Sequence, residues 1–249
     1  MSEINAVSPQ LSVVIPVCNE AGNVGPLARE IHAVLNGRIS FEVIFIDDGS
    51  TDATAAEVLR VRSEALPQVR LLRHSRRSGQ SAAVRTGVRA ARAPWIATLD
   101  GDGQNDPADI PGLLEALQSH NGDGLLKLVM GNRTTRKDSW LRRVSSRIAN
   151  GVRGRVLQDG TPDTGCGIKL FERQLFLELP HFNHMHRFLP ALVRRAGMRV
   201  ISVPVQHRAR MRGVSKYGVN NRLWVGIVDL FGVMWLIRRR MAALDVSEQ

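Results

Sequence analysis

The feature that most constrains this chain is a regular alternation of short apolar runs and helical repeats over its first 130 or so residues. Leu11 to Ile15, Phe41 to Ile46, Val69 to Leu72, Trp95 to Leu99 and Leu125 to Met130 have strand length and the continuous apolar character of buried strands. Between them, Val24 to Leu35, Thr54 to Leu66, Gly79 to Ala91 and Pro107 to Ser119 read as helices; Leu27, Ile31, Val34 and Leu35 share one face of the first. Pro16 is expected to stop the first strand. Such alternation with short connections predicts an α/β fold, a mostly parallel sheet with right-handed crossovers and flanking helices. In such sheets the carboxyl ends of the strands line one edge, and ligands bind there.

Three polar clusters follow strands and should therefore meet on that edge. The first is Pro16 to Glu20, and the second is Asp47-Asp48. The third is Asp100-Gly101-Asp102-Gly103-Gln104-Asn105-Asp106-Pro107. Carboxylates at i and i+2 around a glycine can reach one hard cation from a tight turn, and Gln104 can add a neutral oxygen. An ion held this way keeps open positions for a substrate diphosphate. The plain alternative is an acidic turn in which Asp106 and Pro107 start the next helix. Asp47-Asp48 suits the ribose or base of a nucleotide; its plain alternative is an Asx-turn with Asp52 capping the following helix.

Beyond Met130 the chain turns basic. Residues 1–125 hold 11 Lys/Arg against 15 Asp/Glu, and residues 126–249 hold 23 against 8, so the second half suits an anionic partner. Gly131 to Lys137 and His207 to Lys216 read as basic loops, and Ser139 to Leu157 as a basic helix with Arg142 and Ser146 on one face. Arg133, Arg142 and Ser146 form a candidate phosphate clamp, and Arg210, Arg212 and Lys216 surround a glycine in a loop able to close over a diphosphate. Ile168 to Phe171 and Met198 to Val203 read as further strands, the latter closed by Pro204, and His186 to Ala196 as a helix. His181, His184 and His186 lack an accompanying acid and are read as structural. Gly79 and Gly87 do not form a phosphate loop, since the lysine and the spacing are missing.

Asn220 to Arg240 is a long apolar helix that places Leu223, Ile227, Leu230, Phe231, Met234 and Ile237 along one stripe ahead of three arginines. Its most apolar stretch, Leu223 to Ile237, falls short of the ~20 residues of a spanning helix and contains Asp229. The expectation is a peripheral, interfacial helix on a cytoplasmic protein, with no signal peptide. Cys18 and Cys166, far apart and without metal-ligand spacing, read as reduced thiols. Without internal repeat or linker, residues 1–249 read as one domain. It comprises a nucleotide and metal half over about 10–130, an acceptor half over about 131–220, and the apolar helix over 220–240.

In order, IPVCNE, FIDDGSTD, LDGDGQNDP, DTGCGIK and RMRGVSKYG resemble family 2 glycosyltransferases. Within these the chain is most similar to the dolichol-phosphate mannose synthase group, which includes bacterial polyprenyl-phosphate glycosyltransferases; the resemblance covers about residues 10 to 240. It implies a GT-A fold and transfer of a sugar from a GDP- or UDP-linked donor to a polyprenyl phosphate. Pro16, Cys18, Glu20, Ile46, Asp47 and Asp48 then fall on the nucleoside side, Cys18 replacing a more usual tyrosine. Asp100, Gly101, Asp102 and Gln104 match the metal and diphosphate motif, with Mg²⁺ or Mn²⁺ as the ion. Arg133, Arg142 and Ser146 match positions near the acceptor phosphate, and Arg210 and Lys216 the loop cations that grip the donor. Many members carry appended transmembrane helices, and this sequence shows none.

The chemistry fits without a general base. An acceptor phosphate with a second pKa near ~6 is already an anion at neutral pH. In-line attack on the anomeric carbon would invert it. Two other classes are weighed. A nucleic-acid-binding protein would explain the charge, but it needs no carboxylates at three strand ends, and only Tyr217 and Trp224 lie among the cations for base stacking. A sugar-phosphate nucleotidyltransferase would carry a glycine-rich triphosphate loop near the N-terminus, where this chain has IPVCNEAGN.

Overall fold

The computed structural model of the protein describes residues 8–64, 66–133, 154, 157, 160–209 and 220–239, the side chains of 220–225 excepted. Seven strands form one sheet: β1 (Leu11–Val17), β2 (Phe41–Asp48), β3 (Val69–His74), β4 (Trp95–Thr98), β5 (Leu126–Arg133), β6 (Lys169–Glu172) and β7 (Arg199–Val205). Their order is β3-β2-β1-β4-β6-β5-β7. Pairing is parallel throughout except at β6, which runs against both β4 and β5. The expected parallel sheet is thus interrupted by one reversed strand, inserted between two strands that precede it in sequence.

Helices cover both faces. On one side lie α1 (Val24–Leu35), α2 (Thr54–Glu64) and α4 (Ile110–His120), the last preceded by a 3₁₀ turn at Pro107–Asp109. Their apolar stripes pack on Val13, Ile15, Val43 and Phe45. On the other side α3 (Gln80–Ala90), α5 (Arg173–Glu178) and α6 (Leu189–Arg195) cover Val14, Ile44, Ile46 and Met130. Successive strand residues point to opposite faces, so both sets are apolar. Helix α3 approaches closely at Gly87, where a Cβ would come within 2.5 Å of Val14 and 2.6 Å of Ile46.

Three expectations change in register. The first strand does not stop at Pro16 but runs through Val17, still paired with β2. The reason is directional. Val14 gives its carbonyl to Leu99 on the β4 side, and Pro16, two residues on, faces that same side beyond the last β4 partner. Its missing N–H costs no ladder bond. Pro204 likewise sits inside β7, which is an edge strand. Gly131 to Arg133, read as the start of a basic loop, instead extend β5 alongside β7.

The last described helix, α7 (Asn220–Arg238), packs on α6. Its expected single stripe is split. Val233 is buried with Leu157, Phe188 and Ala191, and Leu230, Met234 and Ile237 pack on the same cluster. Ile227 and Phe231 instead face outward with Val228 and Trp235, the last three more than 60% exposed. A helix apolar on nearly all sides supplies one face to the core and a second to the surface.

At the amino end of the sheet a buried polar cluster locks β2 to its neighbours. Glu42 Oε1 accepts from Ser12 Oγ and from the Arg92 backbone N–H, both at 2.7 Å, and Oε2 pairs with Arg70 at 2.5 Å. Burial alone would raise the Glu42 carboxyl, but these bonds outweigh it and hold its pKa below the usual 4.5. Replacing Glu42 with Ala should cost about 3 kcal/mol, because it orphans buried donors. A depressed carboxylate contributes stability above its unfolded pKa and loses it as pH falls through the folded value. The melting-temperature gap between wild type and Glu42→Ala should therefore be full at pH 7 and shrink below about pH 4.5, whereas a gap constant down to pH 3 would show that ionised Glu42 is not the lock.

Candidate active site

Six parallel strands place their carboxyl ends on one edge, and the reversed β6 brings its amino end, Gly167 and Lys169, to the same edge. The loops after β1 and β2 are stitched into one wall. Asn19 (φ 51°) donates its backbone N–H to Ser50 Oγ and accepts from Thr51 N. Glu20 N donates to Thr54 Oγ1, Ala21 N to Asp52, and the Gly22 and Gly25 N–H groups to the two oxygens of Glu57. The Gly-Ser-Thr-Asp run after Asp48 therefore shapes the wall that carries Cys18 and Glu20. Asp52 also accepts from Thr54 N at the start of α2, as the plain reading anticipated.

Asp47 and Asp48 are both buried and point to opposite faces of β2. Asp47 accepts from Ser50 N at 2.8 Å and pairs with Arg73 at 3.0 Å. Asp48 receives the backbone N–H groups of Ser78 and Gly79, each at 2.8 Å, and touches His74 at 2.8 Å. Burial opposes its charge, yet the His74, Ser78 and Gly79 bonds keep its pKa below the ordinary aspartate range. Ile46 packs fully buried against Gly87, so its side chain contributes core rather than edge.

The acidic turn after β4 is held at several points. Asp100 Oδ1 accepts from Gln80 Nε2 at 2.8 Å, and the Asp100 N–H donates to Asn105 Oδ1 at 2.9 Å. Gly167 lies so close that a Cβ there would collide with the Asp100 carboxylate and Asn105. Asp102 Oδ1 accepts from Gln104 N at 3.1 Å. Burial first, and the Asp102 charge second, push the Asp100 carboxyl above its usual range; Lys169, Arg133 and the Gln80 bond offset part of this. Two crowded carboxylates are a donor set that a hard divalent cation would relieve, so these residues fit the expected ion. Among the described residues no group of three or more His, Cys, Asp and Glu converges as a metal cage. Asp100, Asp102 and Gln104 would hold such an ion from one side, leaving positions for substrate oxygens.

Several residues here receive no site role from the sequence, although Lys169 is the last residue of the DTGCGIK motif. Lys169 is buried on β6, donates to the Cys166 carbonyl, and is pushed below the usual lysine range by burial, with Cys166, Asp100 and Asp163 opposing. His186 lies 2.7 Å from Ser81 Oγ, and burial above all, with Lys169 and Arg187 adding, pushes it down to about 3, so it is neutral. A cavity of about 20 Å³, room for about one water, lies between Gln80, Asp100, Lys169 and His186. His181 and His184 have separate partners, Met185 and Asp229, so the three histidines do not converge. Arg208 binds Glu30 and Asp106, and its N–H donates to the Gln104 carbonyl, which docks the end of β7 on the acidic turn.

Arg133 reaches the edge at the end of β5, where Asp163 takes its guanidinium in a two-point pair at 2.6 and 2.8 Å. Arg142, Ser146, Arg210 and Lys216 lie outside the described residues.

A family model described as glycosyl transferase family 2 matches residues 12–179. The chain belongs to that family. It is 38% identical over 240 residues to a dodecaprenyl-phosphate galacturonate synthase of Rhizobium johnstonii, across 93% of this chain and 68% of that protein. It is 33% identical over 213 residues to an undecaprenyl-phosphate 4-deoxy-4-formamido-L-arabinose transferase of Edwardsiella ictaluri, across 84% of this chain and 63% of that protein. The chain thus spans about two thirds of these relatives' length. A glucosyl-3-phosphoglycerate synthase of Mycobacterium tuberculosis, crystallised with Mn²⁺, UDP-glucose and phosphoglyceric acid, superposes with a TM-score of 0.70 at 17% identity over 92% of this chain and 79% of that one. A mannosyltransferase of Pyrobaculum calidifontis, in complex with GDP-mannose and Mn²⁺, gives 0.68 at 23% identity over 95% of this chain and 66% of that one. These likenesses show the GT-A fold for this family 2 glycosyltransferase.

The Arg133–Asp163 pair ties the end of β5 to the turn that leads into β6. Asp163→Ala removes the two-point partner of a partly buried guanidinium, which should cost about 3 kcal/mol. For a chain of this size that corresponds to a fall in melting temperature of roughly 6–12 °C. Calorimetry showing a change under 2 °C would place the pair among weak surface contacts instead.

Proposed function

We propose that this family 2 glycosyltransferase moves a sugar from a nucleoside-diphosphate donor to a polyprenyl phosphate, with inversion at the anomeric carbon. The observation that carries the reading is the crowded Asp100–Asp102 pair on the carboxyl edge of the sheet, from which the basic second half of the chain continues. The names of the two relatives supply the acceptor class, dodecaprenyl or undecaprenyl phosphate. They also favour a uronic acid or a modified aminopentose over the mannose suggested by sequence resemblance.

In this mechanism Asp100, Asp102 and Gln104 would hold Mg²⁺ or Mn²⁺; solved structures of the same fold with Mn²⁺ support the choice. Bound there, the ion would supply Lewis-acid neutralisation of the leaving diphosphate. Pro16, Cys18, Glu20, Asp47 and Asp48 form or brace the wall against which the nucleoside rests, with Ile46 beneath it. Gly101 lets the turn pass close to β1, since a Cβ there would come within 2.5 Å of Val17. Arg208 and His207 dock on the acidic turn, and the basic stretch 210–216 follows them directly in sequence, which supports Arg210 and Lys216 as the cations that grip the donor diphosphate. Arg142 and Ser146 receive the acceptor phosphate together with Arg133, whose guanidinium is braced by Asp163. The acceptor's own charge makes it the nucleophile. Orientation and electrostatics then supply most of the rate.

Residues 1–249 act as one domain in this reading. Among the described residues no helix is long and apolar enough to cross a membrane. The outward face of α7, Ile227, Val228, Phe231 and Trp235 with Arg238 and Arg239 at its end, suits the interface of an anionic leaflet. We assign the protein to the cytoplasmic face, where such lipids carry the charge.

Incubation with a panel of UDP- and GDP-sugars and a short polyprenyl phosphate, read by mass spectrometry, should give one class of glycosyl lipid. Asp102→Asn should reduce that product at least 100-fold without unfolding the protein; near wild-type turnover in this variant would reject the metal-dependent site. Product formation on no lipid phosphate, but on a soluble hydroxyl acceptor, would reject the acceptor class.

For the membrane, the expected outcome is co-sedimentation with anionic vesicles at low salt. Phe231→Ser with Trp235→Ser should lower the bound fraction several-fold, and so should Arg238→Ser with Arg239→Ser, each cation contributing on the order of 1 kcal/mol. Wild-type protein left in the supernatant would remove the interfacial role of α7.

A further inference from the structure

We propose that Gln80 is a positioning residue for Asp100, and that Asp48 acts on the acidic turn through it. The inference rests on the reading of Asp100 and Asp102 as the cation-holding pair.

The argument starts at the end of β2. Asp48 takes the N–H of Ser78 on Oδ1 and that of Gly79 on Oδ2. Gly79 has φ 93° and ψ 159°, a conformation open to glycine and strained for other residues, and it is the residue at which α3 begins. His74 bridges the same carboxylate and Thr86 Oγ1 of α3, at 2.8 and 2.9 Å, so the helix is fastened to Asp48 at two heights. Gln80, the first residue of α3, then extends its amide 2.8 Å to Asp100 Oδ1. An acid on one strand end thereby sets the orientation of an acid on another, two strands away in the sheet.

The chemistry explains why an amide stands there. The terminal torsion of an aspartate is broad, so an unrestrained Asp100 carboxylate would rotate. One N–H···O bond to Oδ1 fixes its plane, while Gly167 leaves room beside Oδ2 that any larger residue would fill. A lysine at position 80 would neutralise Asp100 and compete with a cation, and a glutamate would add a third negative charge. A neutral donor orients the carboxylate and leaves its charge available.

The test uses the whole chain and Mn²⁺ alone, titrated without nucleotide and followed by the paramagnetic resonance of free Mn²⁺. Gln80→Leu, close in volume, should weaken Mn²⁺ binding about 10-fold, with the melting temperature within a few degrees of wild type. Asp48→Asn should weaken it similarly, although that side chain is not itself a ligand. The double variant should bind no worse than the weaker single one, because both act through one contact. Wild-type affinity in Gln80→Leu overturns the proposal, and so do losses that add in the double variant. Wild-type protein that does not bind Mn²⁺ would overturn it together with the metal reading; tight wild-type binding with an unaffected Gln80→Leu would overturn this inference alone.

Discussion

Strand direction is the constraint on which the rest depends. Because six strands run one way, the loops that follow β1, β2, β4 and β5 open on one edge, and acids separated by more than fifty residues gather on it. The price in electrostatics is plain at Asp100, whose charge is disfavoured by burial and by Asp102. Reversed β6 offsets part of it. Running against its neighbours, it delivers its amino end where theirs deliver carboxyl ends, and with it the buried Lys169.

The edge is also stiff, and side chains rather than backbone ladders make it so. Glu57 collects one N–H group of the first loop and one of the first turn of α1, Asp48 two of the third loop, and Asn105 the N–H of Asp100. Buried backbone donors need partners, and here acids and amides supply them where the strands have ended. A loop held this way presents its remaining polar atoms in one geometry, which suits a site that works by orientation. His186 fits the same pattern: neutral and bonded to Ser81, it lines the small cavity beside Asp100 without adding charge.

At the far end of the chain, α7 shows how little an apolar pattern says about its own use. Val233 is buried on α6 while Phe231 and Trp235, two residues to either side, are open to solvent. Asp229 is answered by His184, so the one acid of the helix is held at the protein side. The outward face between Val228 and Arg238 therefore carries no acidic residue.

The amino-acid sequence by itself determined the alternating α/β order, the edge on which Asp47, Asp48, Asp100 and Asp102 gather, and the family. It could do so because strand and helix periods are local properties and because the family's motifs are short and contiguous. What only the tertiary structure decided is how the charges are used. Asp48 and Arg133 look equally free for a ligand in a string of letters; in the fold Asp48 holds the start of α3 and Arg133 is taken by Asp163. Gln80 and His186 give no local signal because their partners, Asp100 and Ser81, lie 20 and 105 residues away, and Lys169, though it ends the DTGCGIK motif, meets the Asp100 charge only in the fold. Pro16 and Pro204 misled for a related reason: whether a missing N–H breaks a strand depends on which neighbour stands on that side, and pairing is a property of the sheet, not of the strand.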